Sequence, residues 1–341
     1  MPTALPRILR RTSTILIMTA ATLALVATTA GAAPAHSFAV AATTPVGAAP
    51  AQIAVSPDGA AAYVSNAGGN SVSVVDTTTA AVTSTIPVGE APSGIAVTPN
   101  GSTVYAVNAT SKTVSVIETA TNTVTGSIPI TGVLPYGISV SADGAHAYVP
   151  TGDAISVIDT ATNTISATIP VGSFPILTAT NSTHLYVTNT GDYTVSVIDT
   201  ATNTVVATIP VTAAGRPAAV TATDQAVYVR SGAEVFVIDT ATNTVNTRFP
   251  VKGTLGGAAV TGDGNTLYVI DSEGGAVAVF DTATNTEIAY VPVGAITGGV
   301  TVSPDGNKAY VTSSNDTVTT ITRGGTNEAC TGSLCLPIPG R

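Results

Sequence analysis

The chain has 341 residues, of which only 9% are charged, with 11 Lys and Arg set against 20 Asp and Glu for a net charge of −9. Aromatic residues make up 4% and there is no Trp. A sparse, mildly acidic surface of this kind lacks the basic footprint that nucleic acid or an anionic membrane face requires, so neither is an expected partner.

Residues 1–35 read as a secretory signal peptide. Arg7, Arg10 and Arg11 form a basic n-region, and Ile15–Val26 is an apolar run too short to span a bilayer comfortably. Ala30-Gly31-Ala32 or Ala33-Pro34-Ala35 supplies a small-residue cleavage site. The residues after Arg10-Arg11 (Thr12-Ser13-Thr14) fit a twin-arginine signal poorly, so general secretion is expected, to the extracellular space or the cell envelope. Removing three basic residues and no acidic one takes the net charge from −9 to −12. No Cys stands at the cleavage region to carry a lipid, and no later apolar run is long enough for a membrane helix.

From residue 36 to 325 the sequence repeats. Taking the acidic residue of each IDTATNT-like run as reference gives Asp76, Glu118, Asp159, Asp199, Asp239 and Asp281, spaced by 42, 41, 40, 40 and 42. A period near forty with several short β-type runs indicates a propeller or solenoid. One period contains Gly94–Thr98, Thr103–Asn108, Thr113–Glu118 and Thr123–Ile128, four Val/Ile/Thr-rich runs separated by Gly, Pro, Asn and Asp. Four strands per period make one propeller blade. The turn after the first strand is Ser56-Pro57-Asp58-Gly59 and Ser303-Pro304-Asp305-Gly306, with degenerate copies at Ser141–Gly144 and Thr261–Gly264. Proline presets the turn and glycine returns the chain, so these aspartates serve turns. In the IDTATNT turn the Asp caps following amides and the Asn takes the left-handed position, with Glu118 giving a looser copy.

A second marker counts the blades. Tyr63, Tyr105, Tyr148, Tyr186, Tyr228, Tyr268 and Tyr310 occur once per period, which makes seven. The last period leaves pattern after Thr317–Thr322 without its fourth strand, whereas Phe38–Val46 ends like one. The N-terminal segment is therefore expected to complete blade seven and close the ring. The fold class is an all-β, seven-bladed propeller of four-stranded antiparallel blades. The tail 326–341 holds Cys330 and Cys335, the only cysteines. After export these are expected to form a disulfide bracing the tail, worth at most about 2 kcal/mol for so small a loop.

Tyr186-Val187-Thr188-Asn189, the SPDG turn, the VSVIDTATNT run and the IPVG segment together resemble the YVTN-type β-propeller repeat family, over about Phe38 to Gly325. The resemblance implies an exported or surface-associated bacterial propeller. Its broader relatives include ligand-binding scaffolds and lactonase-like and amine-dehydrogenase-like propellers, so the fold alone assigns no activity.

A site is expected where blades differ, on the rim built by the loops between blades and by the loops from second to third strands. The inter-blade loops carry Glu90, Tyr136, Phe174, Arg216 and Lys252, and the other rim loops carry Lys112, Asp153, Asp192, Tyr193, Arg230, Asp271 and Glu273. Glu90, Lys112 and Lys252 read as solvated charges, and Tyr136 and Phe174 as lids over blade cores. Arg216 and Arg230, in adjacent periods, are the pair expected to meet at the channel mouth, where they hold an anionic ligand or pair with Asp192 or Asp271. The ligand-binding set is thus Arg216, Arg230, Tyr136, Phe174, Asp192 and Asp271. His146 and His184 lie at the turn side of their blades, away from converging carboxylates, and no metal or cofactor is expected. GxSxG and GxxxxGK[ST] are absent.

Two functions remain in play. The favoured one is a monomeric, non-catalytic scaffold that binds an envelope or extracellular protein, a glycan or a small molecule at the rim. The rival is a lactonase-like hydrolase or a lyase using a charged or metal site at the rim, with Asp153, Asp192, Asp271 and Glu273 as its candidates.

Overall fold

The computed structural model describes residues 36–132, 135–212, 215–253 and 256–326. Residues 1–35, where a signal peptide is expected, and both tail cysteines, Cys330 and Cys335, lie outside the described residues. Among those described there are 28 strands in seven four-stranded antiparallel sheets, and no helix long and apolar enough to cross a membrane. Blades one to six span 50–87, 92–129, 139–170, 175–210, 217–250 and 258–292, each with its strands in sequence order from the channel outward. Blade seven takes three strands from 296–326 and its outermost from His36–Pro45, paired antiparallel with Thr317–Thr326. The ring thus closes between the two ends of the propeller, with Phe38 edge-on to Tyr268 at 6.1 Å between ring centroids.

The core is divided into seven wedges, one between each pair of neighbouring sheets. Between blades four and five, for example, Tyr186, Val195, Val197 and Ile209 pack on Val220, Val227, Val229 and Ile238. The alternating apolar residues of second and third strands are buried on both faces, as sheets sandwiched by neighbours require. Fourth strands are the outer edges. In blades one to six a register shift two residues before the acidic end of the third strand bulges that edge. Bulging an edge discourages further strand addition.

The two sequence markers meet across the wedges. The Tyr105 hydroxyl of blade two donates to Asn163 Oδ1 of blade three at 2.7 Å, and Tyr148 of blade three donates to Asn203 of blade four at 3.0 Å. Asn122, Asn163, Asn203, Asn243 and Asn285 all adopt the left-handed conformation (φ 53–55°), which asparagine tolerates better than most residues. Their preceding aspartates cap the same turn: Asp159 Oδ1 accepts the Thr162 amide at 2.8 Å and its hydroxyl at 3.0 Å, and Asp76, Asp199, Asp239 and Asp281 do likewise. Glu118 accepts the Thr121 hydroxyl at 2.7 Å, the longer side chain making the looser version of this turn.

These caps hold carboxyls below the usual carboxylate range, principally through the threonine amide for Asp76, Asp159 and Asp199, and through its hydroxyl for Asp239 and Asp281. The serine hydroxyls of the SPDG-type turns lower Asp58, Asp143 and Asp305 in the same way. Burial pushes Tyr105, Tyr148, Tyr186 and Tyr268 up to about 12. A depressed carboxyl contributes stability that is present above its unfolded value and is lost as pH falls through the folded one. A raised phenol contributes stability that is lost as pH climbs from 10 toward 12. Thermal unfolding followed by circular dichroism should give a plateau between about pH 5 and 9 and fall at both ends, most steeply below about pH 4. A double-mutant cycle of Tyr105→Phe and Asn163→Gly should return a coupling of about 1 kcal/mol, where no coupling would leave the two markers energetically independent.

Candidate functional site at the channel mouth

The seven first strands converge on the channel, and their backbones nearly touch. A Cβ on Gly94, Gly137, Gly257 or Gly299 would lie 2.4–2.7 Å from a carbonyl oxygen of the next blade. Equivalent positions in the other three blades carry Gln52, Leu177 and Ala219, by alignment on the tyrosine partners. This ring is the neck of the channel, and below it a cavity of about 130 Å³ is lined by the first strands.

Above the neck the inter-blade loops flare into a cup of about 620 Å³. Blades three to five supply its bulky arc: Tyr136, then Phe174, Ile176 and Leu177, then Arg216. Blades six, seven and one supply a smooth wall of Gly256, Gly257, Gly298, Ala49 and Ala51, with Gln52 at the neck. No Asp, Glu or His lines the cup among the described residues, and no group of three or more His, Cys, Asp or Glu able to hold a metal occurs among them.

Each aromatic residue of the arc is fixed through its backbone. Phe174 is left-handed (φ 52°), an uncommon state for a bulky side chain and one that needs support. The support is dense: its amide donates to Asp153 at 3.3 Å, while its carbonyl accepts the Thr190 amide at 3.0 Å and hydroxyl at 2.9 Å. Ser173 beside it donates to Asp192 at 2.6 Å and accepts from the Gly191 amide at 2.9 Å. The ring is left 59% exposed at the cup. Tyr136, 44% exposed, has its carbonyl held by the Ser93 hydroxyl at 2.9 Å. Arg216 is exposed and makes no hydrogen bond or ion pair among the described residues.

Of the six expected ligand-binding residues, Tyr136, Phe174 and Arg216 come together at the cup, and Arg230, Asp192 and Asp271 do not line it. Arg230 therefore does not meet Arg216. It is fully buried and donates to the carbonyls of Gly232 (3.3 Å), Gly256 (3.4 Å), Lys252 (3.2 Å) and Ile270. At the equivalent place Ser65 donates to Ser93 O and Thr312 to Ala51 O, each reaching the first strand of the next blade. Arg230 makes the same cross-blade tie over a longer gap, since the first strand of blade six is only Ala258–Val260. Burial brings its guanidinium down to about 10, against the opposing charges of Asp271 and Glu273, so it stays protonated at neutral pH.

The rim carboxylates are also occupied. Asp153 caps the Phe174 amide as Asp316 caps Ala49 (2.8 Å) and Asn70 caps Ala91 (2.9 Å), and Asp192 holds Ser173. Asp271 is 5% exposed and takes the slot filled by Asn66, Asn108 and Asn189 in other blades. Asn66 bonds Ser71 and Ser73 there; blade six has Ala276 and Ala278 instead, so Asp271 turns to the Gly274 amide at 2.8 Å and the Tyr290 hydroxyl at 2.7 Å. Lys252 is paired with Glu287 at 3.1 Å and lies over the Tyr290 ring at 4.0 Å. His146 and His184 sit at the starts of second strands, tilted against Tyr148 and Tyr186. Ile176, Leu177 and Gln52 are cup residues that the motif reading passes over. Their signal is bulk at two positions where most other blades have Ala, Ser or Gly, blade three carrying Tyr136 at the position of Ile176.

The two arginines should separate cleanly in a stability measurement. Arg230→Met leaves four carbonyls without their donor and is expected to lower unfolding free energy by about 3 kcal/mol in urea titration. Arg216→Met should change it by less than about 0.5 kcal/mol, as for an unpartnered surface side chain.

A model described as "Lactonase, 7-bladed beta-propeller" matches residues 19–129, about a third of the chain. No curated protein matches. Among solved structures the chain is similar to Kuenenia stuttgartiensis Hydrazine Synthase, with a TM-score of 0.74 and 26% identity over 82% of this chain and 96% of that one. Together with the seven closed sheets, these likenesses establish a β-propeller fold.

Proposed function

We propose that the chain is an exported YVTN-type propeller that works as a non-catalytic binding module, holding its ligand in the cup at the channel mouth. The observation that carries this reading is the cup itself, about 620 Å³ with an apolar and aromatic arc and no carboxylate or imidazole among its described lining. The YVTN assignment is supported by Tyr186–Asn189, the SPDG turns and the IDTATNT runs; export is supported by the basic and apolar segments of residues 1–35. On this reading the domain organisation is a cleaved signal, a monomeric propeller over 36–325, and a tail braced by Cys330–Cys335. Asp153, Asp192, Asp271 and Glu273 then serve the scaffold.

A second reading, a lactonase-like hydrolase, is favoured by the family model matching 19–129. That match covers blades one and two, which contribute only Ala49–Gln52 to the cup. The test uses the purified secreted protein with an uncharged solvatochromic dye. Saturable fluorescence is expected, weakened about tenfold by Phe174→Ala through lost apolar contact. Absence of saturable binding overturns the module, and turnover of aliphatic lactones with added divalent cations would establish the hydrolase in its place.

A further inference from the structure

The asymmetry of the cup narrows the ligand. Its bulky arc ends in a guanidinium with no partner among the described residues, and its opposite wall, as far as it is described, is backbone, methyl groups and a proline ring. The nearby acids, Asp153 and Asp192, are turned onto the amides of Phe174 and Ser173, so neither neutralises Arg216 through an ion pair. A lone, unpaired guanidinium beside an apolar surface suits a monoanion. It presents a planar fork that a carboxylate meets with two parallel hydrogen bonds, whereas a dianionic phosphate would look for further cations. Among the described residues no second cation lines the cup: Lys252 is committed to Glu287, and Arg230 is buried in carbonyl contacts. The wall next to Arg216 is apolar from Leu177 at the neck through Ile176 to Phe174 and Tyr136.

Resting on the binding-module reading, we infer that the cup takes an amphipathic monocarboxylate. Its carboxylate pairs with Arg216, and its aliphatic or aromatic body lies against Tyr136, Phe174, Ile176 and Leu177. Phe174 is the preorganised surface for that body, because its backbone is fixed before any ligand arrives and little conformational freedom is left to lose on binding.

Decanoate and its uncharged isostere decanamide, titrated by calorimetry into the full secreted protein at neutral pH, test this directly. Decanoate is expected to bind at least about tenfold more tightly than the amide, the order of a charge-assisted pair. Arg216→Ala should bring the ratio of acid to amide affinity to about one while leaving the unfolding temperature in place, and Arg216→Lys should restore part of that ratio. Equal binding of acid and amide, or an acid preference that survives Arg216→Ala, overturns the inference while leaving the module standing. If neither probe binds and the uncharged dye does, the monocarboxylate class is wrong. If the dye fails as well, the module falls and this inference with it.

Discussion

The whole molecule depends on how closely seven sheets approach at the channel. Where a side chain would strike the next blade's carbonyl, the first strands carry glycine at four of seven neck positions. Sheets brought together so closely at the centre diverge outward, and the diverging wedges are filled by the Val, Ile and Tyr of second and third strands. The same crowding sets the site. At the neck there is room for little more than Gln52 and Leu177 and a small cavity, so the larger space opens above it, where inter-blade loops turn back.

Fastening recurs at equivalent positions of several blades with changing chemistry. A second-strand side chain reaches the neighbouring first strand, and a loop side chain caps the left-handed residue ahead of a first strand. Ser65, Thr312 and Arg230 perform the first task; Asn70, Asp316 and Asp153 perform the second. The departures from the repeat that look most like chemistry are therefore mostly substitutions within that pattern. Arg230 spans a longer gap, and Asp271 replaces an asparagine whose serine partners have become alanines.

The sequence made the architecture legible because each marker is a local necessity. Turn aspartates, left-handed asparagines and one tyrosine per period are read from spacing alone, and the missing fourth strand near Thr322 pointed to Phe38–Val46, where the structure has His36–Pro45. The cup was legible in part. Tyr136, Phe174 and Arg216 stood out because their types break the pattern, yet Arg230 broke it as visibly and is buried. Whether a charged side chain faces the channel or the wedge depends on one residue of strand register and on the length of the adjoining first strand. Neither is written in residue type. Ile176 and Leu177 were hidden for the opposite reason, as aliphatic residues are ordinary in any strand.

The pairing of His36–Pro45 with Thr317–Thr326 joins the first propeller strand to be synthesised with the last. Contacts that distant in sequence close one of the longest loops the chain can make, and they form only after everything between them exists. Until then one edge of blade seven's sheet and one face of blade one have no neighbour, and both present exposed hydrogen-bonding groups and apolar surface. The ring is therefore complete only once the last strand of the propeller has been made. A chain that stops before Thr317 would lack the strand on which His36–Pro45 pairs, and the seam that closes the ring would have only one of its two sides.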